Sequence, residues 1–103
     1  SLPTSVMRSA GLNLTKSLAQ EFASTGIRVN AVCIGKIKSM QWVRRAADGD
    51  PTDIYQRFSK LIPMGRVGEA AEYADLVAFL SSARASYITG TAINLDGGSC
   101  PVL

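Results

Sequence analysis

Few residues in this chain could carry out common enzyme chemistry. Histidine is absent from the sequence. His-based zinc sites and Ser-His-Asp triads are therefore excluded within the chain, because both need an imidazole. The two cysteines, Cys33 and Cys100, lie far apart and belong to no CxxC or Cys/His pattern, so no metal site is expected. Isolated thiols of this kind are typical of a reducing compartment.

The most basic segment of the chain is residues 36–45, which also contains Trp42. The chain has 11 Lys+Arg against 8 Asp+Glu, a formal net charge of +3, and the other basic residues are scattered. A nucleic-acid surface needs a denser basic stripe, so no nucleic-acid partner is expected. Two interpretations of the segment stay open: a solvated loop, or a loop that faces an anionic substrate.

Length and composition indicate one small globular domain. The chain has 103 residues, of which 47% are hydrophobic and 18% charged, which is a globular rather than a disordered composition. No apolar run approaches the roughly 20 residues that span a bilayer, and no signal peptide opens the chain. We therefore expect a soluble, cytoplasmic protein with no membrane partner.

The elements that must position any site begin with a long helix over residues 4–24. Met7, Gly11, Leu14 and Leu18 follow a helical spacing. Further apolar residues widen this stripe, so the helix needs partners on more than one side. A Ser-Thr-Gly sequence then predicts its end.

A strand, a second helix and a second strand follow. Residues 27–34 begin with alternation and become continuously apolar, which predicts a strand buried on both faces, as in a parallel sheet. Residues 69–82 predict the helix, and residues 89–95 the second strand. Between them, residues 36–67 are mixed, with a short helix at residues 52–61 and loops on each side. This order predicts an α/β fold with two main helices and two parallel strands, part of a doubly wound sheet.

Several short segments together match the pattern of a known family. They are residues 13–19 (NLTKSLA), 26–32 (GIRVNAV), 63–69 (PMGRVGE), 77–82 (VAFLSS), 85–90 (ASYITG) and 95–98 (LDGG). Their order and spacing resemble the second half of the short-chain dehydrogenase/reductase family. The resemblance implies that residues 1–103 are the C-terminal half of a Rossmann-like domain, without the half that binds the cofactor's phosphates.

The resemblance also implies an activity. Members of this family use NAD or NADP to oxidise alcohols or reduce carbonyls. A Tyr exchanges the proton, a Lys four residues later lowers the Tyr pKa and binds the ribose, an upstream Ser polarises the carbonyl, and a glycine-rich turn binds the pyrophosphate. We therefore expect a small-molecule substrate, and a homo-oligomer formed through the helix at residues 4–24 and the strand edges.

The chain departs from the family at the catalytic pair. The resemblance places Thr4 at the Tyr position and Arg8 at the Lys position. A threonine hydroxyl is a far weaker acid than a phenol of pKa about 10. Arg8 could hydrogen-bond a ribose but cannot relay a proton, because its guanidinium stays protonated; alternatively, it is an ordinary surface charge. The upstream Ser and the glycine-rich turn would precede residue 1, so this chain alone is expected to bind no cofactor and to be inactive.

The loop after the first strand corresponds to the family's nicotinamide loop. Gly35 is retained, Ile34 stands at a Pro position, and Ser39 stands at a Thr position. In an intact protein we expect cofactor contacts from Gly35, Ile37 and Ser39, although Gly35 could equally serve only to end a strand.

Substrate choice in the family comes from the following loop, about residues 40–62. Its large apolar and aromatic side chains could line a substrate pocket or simply form the core side of a short helix; they are Met40, Trp42, Tyr55 and Phe58.

Three functions remain open at this stage. The first is a part of an NAD(P)-dependent alcohol or carbonyl oxidoreductase. The second is a non-catalytic binding or oligomerisation module with the same fold, in which the loss of the Tyr and Lys is real. The third is a degraded gene product without a function of its own.

Overall fold

The computed structural model describes residues 2–102 and contains helices and two paired strands. In chain order the elements are α1 (Leu2–Phe22), a 3-10 turn (Ala23–Thr25), β1 (Ala31–Ile34), α2 (Met40–Arg45), α3 (Thr52–Ser59), α4 (Ala70–Leu80), a second 3-10 turn (Ala83–Ala85) and β2 (Ala92–Leu95). The Ala31 N–H donates to the Thr91 carbonyl (2.9 Å), and the Gly35 N–H donates to the Leu95 carbonyl (3.0 Å). The same offset at both ends makes the pair parallel. The predicted α/β class is therefore confirmed.

Helix α1 begins and ends two residues earlier than predicted. Pro3 lies in its first turn, where the missing N–H has no helical partner to lose. The helix passes through the 3-10 turn into Gly26, whose φ of 83° only glycine adopts without strain. The Gly26 N–H donates to the Ala23 carbonyl (3.1 Å) and closes the helix end.

Most of the apolar surface of α1 is uncovered within the described residues. Ala19 is buried, whereas Val6, Met7 and Leu14 are 57%, 72% and 57% exposed. An exposed apolar helix face of this kind is typical of a surface that packs against another protein segment.

The predicted strand ranges, residues 27–34 and 89–95, are both too long, because the strands begin only at Ala31 and Ala92. The first part of each segment is extended but is joined to the other mainly through side chains. The Val29 N–H donates to Thr89 Oγ1 (3.0 Å), and Asn30 Nδ2 donates to the Ile88 carbonyl (3.0 Å). Asn30 Oδ1 accepts from the Thr91 N–H (3.1 Å). Because side chains replace part of the backbone ladder, regular pairing begins only at Ala31.

The prediction that β1 is buried on both faces is wrong for this chain. Its residues are half-buried, and Ile34 is 56% exposed. Within residues 2–102 the sheet has two strands, so β1 has a neighbour on one edge. Few side chains are fully buried, and those are small or aliphatic: Ala19, Ile62, Val67, Leu80 and Ala85.

The segment between the strands contains more helix than predicted. Helix α2 (Met40–Arg45) was expected as loop, and its six residues are too few to show a helical period. Helix α4 (Ala70–Leu80) is confirmed, with ends one or two residues inside the predicted bounds. The Glu72 carboxylate accepts the Glu69 N–H (3.2 Å) at its start, an arrangement that satisfies an unpaired helix-end donor.

The chain divides into two compact units, which are described separately below. The first unit contains the residues up to Val32 together with Ala78–Ile93. The second contains Cys33–Val77 and the residues from Asn94 onward. Among the described residues, no helix is both long enough and apolar enough to cross a membrane.

Candidate functional site

In the second unit, the backbone of Gly35 lies directly against Asp96. A Cβ built on Gly35 would stand 2.8 Å from the Asp96 Cβ and 2.9 Å from its Cα. Real Cβ atoms do not approach backbone so closely, so glycine is required here for packing. This contact fixes where the loop leaves β1.

The loop that follows Gly35 is held by a short parallel bridge to Gly68. The Lys38 N–H donates to the Gly68 carbonyl (3.0 Å), and the Gly68 N–H donates to the Lys36 carbonyl (3.0 Å). The backbone groups of Ile37 point away from this bridge, because neighbouring residues in a strand alternate in direction.

Two aromatic side chains hold the other side of the loop. Trp42 Nε1 donates to the Ile37 carbonyl (3.2 Å). The Ser39 N–H donates to the Tyr55 hydroxyl (3.2 Å). Residues predicted to contact substrate thus also fix the backbone of residues predicted to contact the cofactor.

The loop presents groups that suit a nicotinamide carboxamide. Within the described residues, the Ile37 N–H has no hydrogen-bond partner. The Ser39 hydroxyl makes no capping bond at the start of α2. A backbone N–H donor can bind the carboxamide oxygen, and a hydroxyl can accept from its nitrogen. In an intact protein, Ile37 and Ser39 would hold this end of the cofactor, which supplies the hydride.

The predicted substrate residues come together in part. The rings of Trp42 and Phe58 pack edge to face, with centroids 4.9 Å apart and an interplanar angle of 72°. Tyr55 contacts Ser39 from the same helix that carries Phe58, α3. Met40 begins α2 and is 61% exposed. Neither Met40 nor Tyr55 lines the cleft beside Trp42 and Phe58.

Cations surround these aromatic rings, an arrangement that was not predicted from the sequence. The Lys36 Nζ lies 5.1 Å from the Trp42 ring centroid and 4.7 Å from that of Phe58. The Arg45 guanidinium lies 5.2 Å from the Trp42 centroid. All three distances fall within the range of favourable cation–π contacts. The basic composition of residues 36–45 was visible in the sequence. The sequence did not show which rings these charges would contact.

We define the aromatic cleft as the opening beside the Trp42–Phe58 pair. Its volume is about 300 Å³. Its exposed lining is almost entirely apolar, and the residues that form it are Trp42, Arg45, Ile54, Arg57, Phe58 and Leu61.

A second cleft, of about 280 Å³, opens where the ends of the two strands meet the start of α4. Cations and carboxylates mix in its lining, which includes Lys36, Arg66, Glu69, Glu72 and Asp96. Its lining residues are spread over three separate segments, so no pattern in the sequence predicted this cleft.

Ion pairs compensate charge around this second cleft. The Arg66 guanidinium donates to both Glu72 carboxylate oxygens, at 2.7 and 3.1 Å. This hydrogen bonding holds the pKa of the Glu72 carboxyl below its ordinary value. The Lys38 Nζ lies 2.6 Å from Glu69 Oε1. Both pairs are solvent-exposed, so neither is a strong source of stability.

In the glycine-rich turn after β2, backbone N–H groups donate to the carboxylate of the turn's own aspartate, Asp96. Asp96 Oδ1 accepts the Gly98 N–H (2.9 Å), and Oδ2 accepts the Cys100 N–H (2.9 Å). A phosphate would need these amide donors, and the carboxylate would repel it. The turn therefore ends β2 and does not form a phosphate site.

Thr4 and Arg8 lie in the first unit, on α1. Their spacing places them one turn apart on the same side of the helix. Both are exposed. Arg8 forms no ion pair with the described residues.

Comparison with known proteins gives a consistent result. The family model described as enoyl-(acyl carrier protein) reductase matches residues 3–100. The oxidoreductase UcpA of Escherichia coli K12 is 42% identical over 95 residues, which are 89% of this chain and 36% of UcpA.

Solved structures agree with the sequence comparison. The NADPH-bound short chain oxidoreductase of Pseudomonas aeruginosa PAO1, described as containing an atypical catalytic center, has a TM-score of 0.89 at 36% identity, over 99% of this chain and 40% of that one. The L-sorbose reductase of Gluconobacter frateurii, complexed with NADPH and L-sorbose, has a TM-score of 0.85 at 30% identity, over 95% and 40%.

The chain thus spans little more than a third of the length of these relatives, from 36% to 40%. Within that span, both the sequence and the fold match almost from end to end. The predicted likeness to part of a Rossmann-like fold is confirmed, and the chain belongs to the short-chain dehydrogenase/reductase family.

Proposed function

We propose that this chain is the C-terminal half, residues 1–103, of an NAD(P)-dependent oxidoreductase that acts on an alcohol or carbonyl compound. In this role it supplies the nicotinamide side of the cofactor site and the substrate loop. The observation that carries the proposal is the loop of residues 35–39. Its backbone is fixed on both sides, while the Ile37 N–H remains without a partner within the described residues.

The cofactor assignment draws support from the relatives. Two of the similar solved structures contain NADPH. The phosphate-binding turn has no counterpart among the described residues, because the glycine-rich turn at Asp96 is occupied by its own carboxylate. Little cofactor binding energy is then available to the chain alone, and we propose that it is inactive by itself.

The second candidate is a non-catalytic binding or oligomerisation module. Thr4 and Arg8 favour it, since they stand where the family has its Tyr and Lys. A chain with this pair could retain the fold and a ligand without performing efficient proton transfer.

Self-association is expected for both candidate functions. The exposed apolar residues of α1 and the open edge of β1 would each be covered by a second copy. We propose a homo-oligomer formed through α1 and the strand edges, in contrast to a monomer with these surfaces in water.

The proposal can be tested in a chimera. This chain would replace the segment that it matches in the NADPH-bound Pseudomonas aeruginosa oxidoreductase. We expect the chimera to bind NADPH in a fluorescence titration and the isolated chain not to bind it. Ser39→Ala should weaken binding about fivefold, the loss of one hydrogen bond. Ser86→Ala, an exposed serine of the first unit, is the matched control and should leave binding unchanged.

Turnover separates the two candidates. Consumption of NADPH with a panel of ketones by the chimera that retains Thr4 and Arg8 supports the oxidoreductase. Consumption only after Thr4→Tyr and Arg8→Lys supports the non-catalytic module. A chimera that folds but binds no NADPH contradicts the cofactor role of residues 35–39.

A further inference from the structure

Trp42 contacts the loop of residues 35–39 through its indole N–H. Its Nε1 donates to the Ile37 carbonyl (3.2 Å), five residues earlier in the chain. Trp42 is half-buried, and an indole N–H in such a position is normally hydrogen-bonded. The bond closes a short ring of chain over residues 37–42 and therefore restricts the orientation of the Ile37 backbone.

Other side chains hold the Trp42 ring in this position. The Trp42 and Phe58 rings pack edge to face, with centroids 4.9 Å apart. The Lys36 Nζ lies 5.1 Å from the Trp42 centroid and 4.7 Å from that of Phe58. Because Lys36 directly precedes Ile37, the indole contacts two consecutive residues of the loop. A change of the Trp42 rotamer would break these contacts together with the hydrogen bond.

The Ile37 N–H is thereby held in a fixed direction. The two neighbours of Ile37 in the chain both pair with Gly68, through backbone hydrogen bonds of 3.0 Å each. Trp42 fixes the Ile37 carbonyl. The Ile37 N–H has no partner within the described residues and is the donor proposed above for the carboxamide. Hydrogen bonds weaken steeply when donor and acceptor are misaligned, so the strength of this contact depends on how firmly the loop is held.

We infer that Trp42 is a positioning residue for the cofactor and acts through the backbone of Ile37. Resting on the proposed function, this adds a role in cofactor binding to the substrate contact expected for Trp42. The indole N–H orients Ile37, and the Ile37 N–H then donates to the carboxamide of a bound cofactor in good alignment. The contribution of Trp42 to cofactor binding is therefore confined to the nicotinamide end.

The chimera described above tests this inference with two ligands. NADPH carries the nicotinamide ring, whereas phospho-ADP-ribose lacks it. Trp42→Phe removes the indole N–H and keeps an aromatic ring. In calorimetric titrations we expect this variant to bind NADPH about fivefold more weakly, the loss of one hydrogen bond, and to bind phospho-ADP-ribose unchanged.

Tyr73→Phe is the matched control. It also removes the polar group of an aromatic side chain, but at a position on α4 that is 42% exposed and lies outside the loop. It should leave the affinities for both ligands unchanged. A variant that is merely less well folded would lose affinity for both ligands, which distinguishes a structural role of Trp42 from a positioning role.

Amide hydrogen exchange in the 103-residue chain provides a second measurement, without cofactor. The Lys38 N–H donates to the Gly68 carbonyl, and this pairing belongs to the loop that Trp42 holds. Trp42→Phe should therefore speed exchange of the Lys38 amide, whereas Tyr73→Phe should not. Trp42 is the only tryptophan of the chain, so a nitrogen–proton correlation spectrum contains a single indole signal. That indole N–H should exchange with solvent more slowly than a free indole.

The outcomes separate this inference from the proposed function. If Trp42→Phe leaves NADPH affinity unchanged, or weakens both ligands equally, the positioning role is wrong and the oxidoreductase stands. If no chimera binds NADPH, the cofactor role of residues 35–39 is contradicted. In that case faster exchange of the Lys38 amide in Trp42→Phe still supports the positioning of the loop by Trp42, and unchanged exchange overturns it.

Discussion

Adding a methyl group at Gly35 should destabilise the chain, because of the contact with Asp96. In Gly35→Ala the new Cβ would stand 2.8 and 2.9 Å from two Asp96 carbons. Favourable carbon–carbon contacts lie near 3.5–4.0 Å. One of the two atoms belongs to backbone, so the strand ends must separate by several tenths of an ångström. Overpacking of this kind costs about 1–3 kcal/mol.

The same substitution at Gly11 provides a matched control of opposite sign. Nothing lies within 4 Å of a Cβ at that position of α1. An exposed Gly→Ala change inside a helix stabilises by about 1 kcal/mol. The stiffer unfolded chain contributes up to about 1 kcal/mol of stability to both variants and leaves their difference unchanged.

The two variants should therefore differ by about 2–4 kcal/mol in the free energy of unfolding. Urea unfolding followed by far-UV circular dichroism, at one protein concentration, measures this difference. For a domain of this size the midpoints should lie about 1–2 M apart, with Gly35→Ala the lower. If Gly35→Ala unfolds at the same urea concentration as the unaltered chain or a higher one, the close approach of Gly35 to Asp96 is wrong.

Three other substitutions test separate contacts. Asn30→Ala removes a half-buried amide that makes three hydrogen bonds and should lower the free energy of unfolding by about 2 kcal/mol; a loss below about 0.5 kcal/mol in a thermal melt would refute its role. Tyr55→Phe removes the acceptor of the Ser39 N–H and should cost about 1 kcal/mol in the same melt; an unchanged melting temperature would contradict this contact. Arg66 lowers the folded-state pKa of Glu72. This pair therefore stabilises the fold at pH values above the ordinary carboxyl pKa, and the stabilisation is lost as the pH falls through the lowered pKa. Glu72→Gln should flatten the loss of stability below about pH 4, and an unchanged pH profile would contradict the pairing.

Long helices were the most predictable part of the fold. Helices α1 and α4 have enough residues to show a helical period, and their ends lie within two residues of the prediction. Helix α2 has six residues, and the period cannot be seen over so short a stretch. The strand starts were misplaced because Asn30 is joined to residues 88–91 by its side chain, which no alternation of apolar residues encodes.

The resemblance named candidate site residues, but the sequence did not show which contacts connect them. The resemblance pointed to Gly35, Ser39 and Trp42. It could not show that Trp42 donates to a carbonyl five residues earlier or that Tyr55 binds a backbone N–H 16 residues away. Such contacts depend on rotamers and on the path of the loop between helices, and a single sequence specifies neither. The close contact between Gly35 and Asp96 likewise joins segments that are distant in the chain.

The hydrogen bonds that join residues 28–30 to residues 82–91 also have a kinetic consequence. Their partners are 54 to 61 positions apart along the chain. A loop of that size must close before any of these bonds can form, and the lost chain entropy delays them relative to the helices. Helical segments should therefore form early, and the two strands should meet late. During that interval the strand edges are open to other chains. Refolding of this chain should for that reason lose yield steeply as its concentration rises.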